Sequence, residues 1–203
     1  KLLNLKQVLE AFLLHRREVI TRRTIFELRR ARSRAHLLEG LTVALANIDE
    51  MIQLIRTSAT GAEAKERMLA RQWAPGEVSA MLERAAELKT TPDGLEGVGL
   101  IGTTYQLSEE QAQAILDMRL QRLTGLEQDK ILEEYQTLLD TIRELIEILV
   151  NPDRLRDVIE EEFIAIRDEF GDERRTEIRE AAEDISLEDL IAEEDVVVTL
   201  SRR

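Results

Sequence analysis

Between residues 131 and 149, apolar side chains recur at every third or fourth position, and this regularity constrains the fold more than any other feature of the chain. The intervals are 4, 3, 4, 3 and 4 residues, and the positions are Ile131, Tyr135, Leu138, Ile142, Leu145 and Leu149. This spacing gives a helix one apolar stripe, which leaves water only by packing against another element. The pattern therefore predicts a long helix with a helical partner.

A second helical pattern begins near Asn4 and runs to about residue 56, with no Pro inside it and only Gly40 to weaken it. Asn4 with Gln7 three residues later is typical of a capping box. Apolar residues on this segment predict the partner stripe of a coiled-coil seam, formed by Phe12, Val19, Phe26 and Leu37. We expect this seam to pack against the stripe of residues 131–149.

The residues between these two segments predict a small helical head. Ser/Thr residues followed three positions later by Glu or Gln predict helix starts at Thr60, Ser108 and Thr124. Glycines between Gly99 and Tyr105 favour a short hairpin, and Trp73 is expected to anchor the core of the head. An outgoing helix, a head and a returning helix predict an antiparallel arrangement.

The predicted fold is mainly α: a long antiparallel two-helix coiled coil carrying a small helical globular head, with a short C-terminal extension or strand. We assign 1–57 to the first long helix, 58–123 to the head and 124–172 to the returning helix. Residues 173–203 are expected to form an acidic linker and the start of a truncated C-terminal domain, because a β-branched run occupies 196–200. Pro152 either kinks the returning helix or begins a new helix capped by Asn151.

Composition excludes several classes of function. Aromatic residues make up only 3% of the 203 residues, and there is no Cys, which excludes a disulfide framework and a thiolate zinc site. Two His and no Gly-rich phosphate loop give no support for a metal or nucleotide site. No apolar run has the roughly 20 residues that a bilayer span needs. We expect no catalytic residue, metal or cofactor in this segment, no membrane partner and a cytoplasmic location.

The net charge of −13 is unevenly distributed. Eight Arg lie between His15 and His36, whereas residues 151–195 carry eighteen Asp and Glu against six Arg. Oppositely charged flanking residues set the register of paired helices, but a basic block is also typical of nucleic-acid binding. Both interpretations, pairing of the two helices and contact with DNA, stay open for Arg16, Arg17, Arg22, Arg23, Arg29 and Arg30.

Several sequence segments resemble one family in order. They are HRREVITRRTIFEL at 15–28, AHLLEGL at 35–41, ANID at 46–49, QAQAILDMRL at 111–120, LTGLE at 123–127, RRTEI at 174–178 and EDVVVTL at 194–200. The first five segments are similar to the coiled-coil arm and exit-gate region of the DNA gyrase A-subunit family, which are type IIA topoisomerases. The last two resemble the segment that leads into the family's C-terminal DNA-wrapping domain, which implies that residues 173–203 lead into such a domain. The sister protein in topoisomerase IV shares part of the pattern, although residues 43–49 look more like gyrase.

The resemblance implies a module that joins two A-subunit chains at the gate through which a transported DNA duplex leaves. It implies a homodimer formed by the head, the gyrase B-subunit as a partner in an A2B2 assembly, double-stranded DNA in the full enzyme, and a nucleoid-associated bacterial location. ATP and Mg are expected on the B-subunit. Neither Tyr105 nor Tyr135 matches the family's nucleophilic Tyr, which lies beside an Arg in an upstream domain.

The head helices, roughly 41–58 and 108–126, are the expected dimer contact. The predicted interface residues are Leu41, Leu45, Ile48, Ile52, Ile115, Leu116, Met118, Leu120 and Leu123. Two other classes of function remain open. One is a structural rod that dimerises along its long helices, and the other is an arm that binds DNA through the Arg block.

Overall fold

The computed structural model describes residues 3–91, 97–118 and 125–177, together with Val197, Thr199 and Leu200. The chain divides into two units, 1–164 and 165–203. The described α-helices and strands are, in chain order, α1 (Leu5–Ala46), α2 (Ile48–Thr57), α3 (Gly61–Leu69), β1 (Gln72–Trp73), α4 (Ser79–Glu87), β2 (Gly99–Ile101), β3 (Thr104–Gln106), α5 (Glu109–Leu116), α6 (Gly125–Val150) and α7 (Pro152–Phe170), with a 3₁₀ helix at Gly76–Val78 just before α4. The fold is mainly helical, and no helix within the described ranges has the length and apolarity required to cross a membrane.

Helix α1 packs against α6, and the two run in opposite directions. Arg34, in the second half of α1, donates to Glu134 near the start of α6 at 2.6 and 2.8 Å. Near the beginning of α1, Phe12 stacks on Phe163, which lies beyond α6 in α7, with ring centroids 5.8 Å apart. Since partners later in the chain lie beside earlier residues of α1, the pair is antiparallel.

The seam on α1 differs from the predicted one. Phe26 is 65% exposed and Phe12 is 48% exposed, while Val19 and Leu37 are half-buried. The buried row consists instead of Ile20, Thr24, Leu28, Ala31, Ala35 and Leu38. Both faces of this segment carry apolar residues at helical spacing, so periodicity alone did not select one. The face with Ala31 and Ala35 allows a closer approach of the helices than one with two Phe.

The stripe on α6 lies on the packed side of that helix. Ile131, Tyr135, Ile142 and Leu145 are buried, and Leu138 and Leu149 are half-buried. After Val150 the helix ends, and α7 begins at Pro152 with the Asn151 side chain accepting a hydrogen bond from the Asp153 amide at 3.0 Å. Pro152 is therefore the first residue of a new helix, a position where its missing amide hydrogen costs nothing.

The first long helical segment is interrupted at Asn47, although Gly40 is its only intrinsically weak position. The Asn47 side chain donates to the carbonyl oxygens of Val43 and Ala74, both at 2.8 Å. An Asn side chain that bonds to nearby carbonyl groups competes with the helical ladder. The extra bond to Ala74 holds the bend against the rest of the head, so tertiary contacts set the break between α1 and α2.

A three-stranded sheet in the order β1–β3–β2 closes one side of the head. The predicted hairpin is present, with Leu100 opposite Tyr105, whereas no sequence signal indicated β1, which places Trp73 opposite Tyr105 on its other edge. Trp73 is 1% exposed and its indole donates to the Met68 carbonyl at 3.1 Å. This confirms its predicted role as an anchor of the core.

One hydrophobic core runs through the head and onto both long helices. It includes Leu38 and Val43 of α1, Met68 and Trp73 of the head, and Tyr135 of α6. Nearly every residue from Ala35 to Ala44 is buried, so this part of α1 passes through the core. Packing therefore continues across the predicted boundaries at 57 and 123, and that division of the chain stays a prediction.

Two sequence predictions fall partly or wholly outside the described residues. They are the helix start at Thr124 and the strand at 196–200, of which Val197, Thr199 and Leu200 are described and have no strand assignment. The capping boxes at Asn4 and Ser108 are confirmed, and the Thr60 side chain accepts from the Glu63 amide. In the second unit, residues 171–177 are exposed and follow the end of α7.

Candidate functional site

An apolar groove of about 380 Å³ lies where α1 and α2 meet α5. Its lining residues are Ala44, Ile48, Met51, Ile52, Ile55, Arg56, Ile115, Leu116 and Met118. Ile52 and Ile55 are each 38% exposed, although they are large aliphatic side chains that normally leave water. A surface of this kind is typical of a site that another apolar surface covers.

The groove brings together five of the predicted interface residues, namely Ile48, Ile52, Ile115, Leu116 and Met118. It does not include Leu41, which is 5% exposed and packs inside the head. Leu45 lines a different groove, beside Gly76 and Leu132. Leu120 and Leu123 lie outside the described residues.

Sequence reasoning missed Met51, Ile55 and Arg56 as members of this surface. Ile55 belongs to the helical pattern of its segment, one turn beyond Ile52, and an isolated helix α2 would present both on one face. The helical spacing in the sequence was therefore sufficient to group Ile55 with Ile52. The sequence did not indicate the bend at Asn47, which sets the direction of that face relative to α5.

A buried polar network links α1 to α5, two of the helices that line the groove, and sequence reasoning did not identify it. The Glu39 carboxylate, on α1, is 3% exposed; it accepts from the Tyr105 hydroxyl at 3.0 Å and from the Thr90 hydroxyl. Burial raises the pKa of Glu39 to about 7, against the opposing effect of these hydrogen bonds. Burial and the nearby Glu39 charge raise the pKa of Tyr105 and of Tyr135.

Gln111 of α5 joins this network to the backbone of α1. Its side-chain amide donates to the Tyr105 hydroxyl at 2.7 Å and to the His36 carbonyl at 2.6 Å. A Cβ on Gly40 would lie only 2.6 Å from the Cβ of Gln111. Glycine is therefore needed at this position because α5 crosses α1 at a distance that leaves no room for a side chain.

His36 provides a further contact between α1 and the start of α5. Its Nε2 atom lies 2.8 Å from the Ser108 hydroxyl, and Ser108 is also the N-cap of α5. Burial lowers the pKa of His36, with a smaller opposing effect from Glu110, so the neutral ring is favoured at pH 7. Within the described ranges, no group of His, Asp and Glu has the arrangement of a metal site.

Tyr105 and Tyr135 do not form a site that a substrate could reach. Their side chains are 1% and 0% exposed, respectively. The Tyr105 hydroxyl is engaged by Glu39 and Gln111, and the buried Tyr135 hydroxyl makes no hydrogen bond of ordinary geometry with the described part of the chain. Both residues contribute to the core.

The structure separates the Arg residues of α1 into two groups. Arg16 and Arg23 both reach Glu162 of α7 at 2.5 Å, and the Arg16 guanidinium also lies over the Phe163 ring. Arg22 pairs with Glu18 of its own helix. Arg17, Arg29 and Arg30 are exposed and have no ion pair with a described residue. The Arg block is thus partly paired and partly open to solvent.

Comparison with known proteins gives the family. Residues 1–164 match the family model for the A-subunit of DNA gyrase/topoisomerase IV. The DNA gyrase A-subunit of Aeromonas salmonicida is 59% identical over 100% of this chain and 22% of its own length. The Pseudomonas aeruginosa protein of the same name is 57% identical over 98% of this chain and 22% of its own length.

The DNA gyrase A-subunit of Escherichia coli K12 is 58% identical over 100% of this chain and 23% of its own length. The chain therefore spans less than a quarter of the length of these curated relatives. The similarity along the whole chain agrees with the resemblance that the short sequence segments indicated. This chain belongs to the DNA gyrase/topoisomerase IV A-subunit family.

Proposed function

We propose that this chain is the homodimerisation and exit-gate module of a gyrase-type A-subunit. In this proposal the apolar groove meets the same surface of a second copy. The antiparallel helices act as a coiled-coil arm that carries the groove. Closing the contact holds the gate shut, and parting it releases the transported duplex during ATP-dependent supercoiling of DNA.

The observation that carries the proposal is the exposure of Ile52 and Ile55 in an apolar groove of a charged protein. The chain has 41 acidic and 28 basic residues, yet Arg56 is the one charged residue among the described residues that line the groove. A two-fold symmetric dimer joins the same surface of both copies, and an exposed apolar groove is a surface that such a contact can cover.

The proposal includes partners beyond the second copy. By family membership, the B-subunit and double-stranded DNA are expected in the complete A2B2 enzyme, with ATP and Mg bound by the B-subunit and no cofactor on this chain. The equivalent region of topoisomerase IV is the alternative within the family. The match of residues 43–49 to the gyrase pattern favours gyrase.

Replacement of Ile52 by Glu tests the dimer contact. A carboxylate in the groove has to be desolvated when the second copy docks, so Ile52→Glu should weaken dimerisation at least tenfold, or about 1.4 kcal/mol. Sedimentation equilibrium of the chain measures the dissociation constant.

Ile25→Glu is the matched control, because Ile25 is 36% exposed and lies on α1 outside the groove. It should leave the dissociation constant within about twofold, equivalent to about 0.4 kcal/mol. A dimer that tolerates Glu at 52, or is equally weakened by Glu at 25, would contradict the assignment. A rod that dimerises along α1 would show the larger effect at 25.

A further inference from the structure

The exposed side of α1 carries an arginine row that the packing of the chain leaves unused. We define the outer arginine face as Arg22, Phe26, Arg29 and Arg30. These positions follow one another at intervals of 4, 3 and 1 residues, so they share one side of the helix. Phe26 is 65% exposed, which confirms that this side is turned to solvent.

We propose that the outer arginine face contacts the sugar-phosphate backbone of a nucleic-acid duplex. The choice of a nucleic-acid duplex as the polyanion rests on the proposed function. The surface itself is one that dimerisation does not require. Arg29 and Arg30 supply two guanidinium groups, and Arg22 supplies a third about 10 Å along the helix axis, at a rise of about 1.5 Å per residue.

The ion pairs of α1 distinguish the arginines that stabilise the fold from those that are available to a ligand. Arg16 and Arg23 both pair with Glu162 of α7, and Arg34 pairs with Glu134 of α6, so these three stabilise the packing of α1 against α7 and α6. Arg29 and Arg30 have no such partner among the described residues. In a chain with a net charge of −13, two adjacent cations without a described partner, on a helix where Arg16, Arg23 and Arg34 are matched to carboxylates, indicate an external anion.

The carboxylates near the face limit the number of contacts. Glu18 pairs with Arg22, which lowers the pKa of Glu18 and keeps it charged. Glu27 lies 4.0 Å from Arg23. Arg22 must therefore exchange Glu18 for a phosphate, whereas Arg29 and Arg30 can bind one directly. A free guanidinium can hold a phosphate through two parallel hydrogen bonds. An Arg that is bound to a carboxylate has to release it before it can bind a phosphate in this way.

Phosphate contact predicts a specific salt dependence. Each phosphate that is neutralised releases counterions, so the logarithm of affinity falls by about 0.9 per contact against the logarithm of salt concentration. Fluorescence anisotropy of a labelled duplex of about 30 base pairs, titrated with the dimeric chain from about 50 to 200 mM salt, measures this slope. Arg29→Gln combined with Arg30→Gln should reduce the slope by about 2 and weaken binding at least tenfold at about 50 mM salt.

Arg16→Gln combined with Arg23→Gln is the matched control, because it removes the same two charges. It should lower the thermal stability of the chain, because α1 loses its ion pairs with α7, and leave the slope within about 0.5 of the wild-type value. Equal weakening by both pairs of substitutions would mean that only net charge matters, and would overturn the proposal. A wild-type chain that does not bind at about 50 mM salt would overturn it as well.

Polyglutamate in place of the duplex tests whether the surface binds an acidic polypeptide instead of a nucleic acid. If the wild-type chain binds it as tightly as DNA and the Arg29/Arg30 variant loses both, the surface recognises an acidic polypeptide and the proposal fails. Sedimentation equilibrium in the same buffers separates this failure from that of the proposed function. A dimer without Arg-dependent DNA binding contradicts only the arginine face, whereas a monomer that retains it contradicts only the gate.

Discussion

Glu39 is a carboxyl group inside an apolar core, and its protonation is linked to the stability of the head. Its neighbours Thr90 and Tyr105 donate to the carboxylate, but burial dominates and raises the pKa to about 7 from 4.5. The folded state therefore binds this proton more tightly than the unfolded chain does. The contribution of Glu39 to stability is greatest below pH 4.5 and is lost as the pH rises through 7.

Glu39→Gln should remove this pH dependence. Between pH 4.5 and 7 the free energy of unfolding of the wild-type chain, relative to the variant, should fall by about 3 kcal/mol. Urea denaturation of both proteins at several pH values measures the difference. His36 has a lowered pKa and the opposite slope, but it is present in both chains and cancels. Parallel stability curves would contradict the assignment of the shift to Glu39.

The two buried tyrosines near Glu39 should respond differently to loss of their hydroxyl groups. Tyr105→Phe removes a donor to Glu39 and an acceptor for Gln111, and should cost about 2 kcal/mol, because two buried groups lose a partner. Tyr135→Phe removes a buried hydroxyl with no hydrogen bond of ordinary geometry to a described residue, so it should leave stability unchanged or raise it. Thermal denaturation of both variants at one pH compares them, and equal losses would contradict the network described.

At the scale of the elements, Glu162 connects α7 to α1. Its carboxylate accepts from both Arg16 and Arg23 and is 26% exposed, so the pairing is less screened than an isolated surface pair. Glu162→Gln should destabilise the chain by about 1 kcal/mol at low salt, and by less at about 1 M salt. The neighbouring Glu161, 62% exposed and paired within α7 to Arg154, provides the control. Glu161→Gln should cost less than about 0.5 kcal/mol, and equal losses would argue against a specific link.

Local sequence signals were sufficient for most of the helices. Asn4 and Ser108 begin helices because side chain and backbone satisfy each other within a single turn, and Asn151 with Pro152 begins α7 for the same kind of reason. Such interactions depend only on near neighbours, so they can be read directly.

Features set by distant residues could not be read in this way. The bend at Asn47 depends on Ala74, and β1 exists through its pairing with β3. Glu39 accepts hydrogen bonds from Thr90 and Tyr105, which lie 51 and 66 residues later in the chain. The same limit applies to the candidate site. The periodicity identified Ile48, Ile52 and Leu116 as interface candidates, but only the tertiary structure separates them from Leu41, which is buried in the core.

For the whole molecule, the central claim is that two copies join through the head groove and not along the helix pair. The chain contains no Cys, so a single introduced thiol reports one position. Leu116 lines the groove, and Leu138 is half-buried on α6, which makes Leu116→Cys and Leu138→Cys a direct comparison. Each variant is treated with a short bis-maleimide at the same chain concentration, set above the dissociation constant that sedimentation equilibrium gives.

Association through the groove predicts a covalent dimer for Leu116→Cys and none for Leu138→Cys, as measured by denaturing gel electrophoresis against time. The yield from Leu116→Cys should fall when Ile52→Glu is added, because the contact is then weakened. Efficient cross-linking at 138 with none at 116 would contradict this claim and indicate association along the helices.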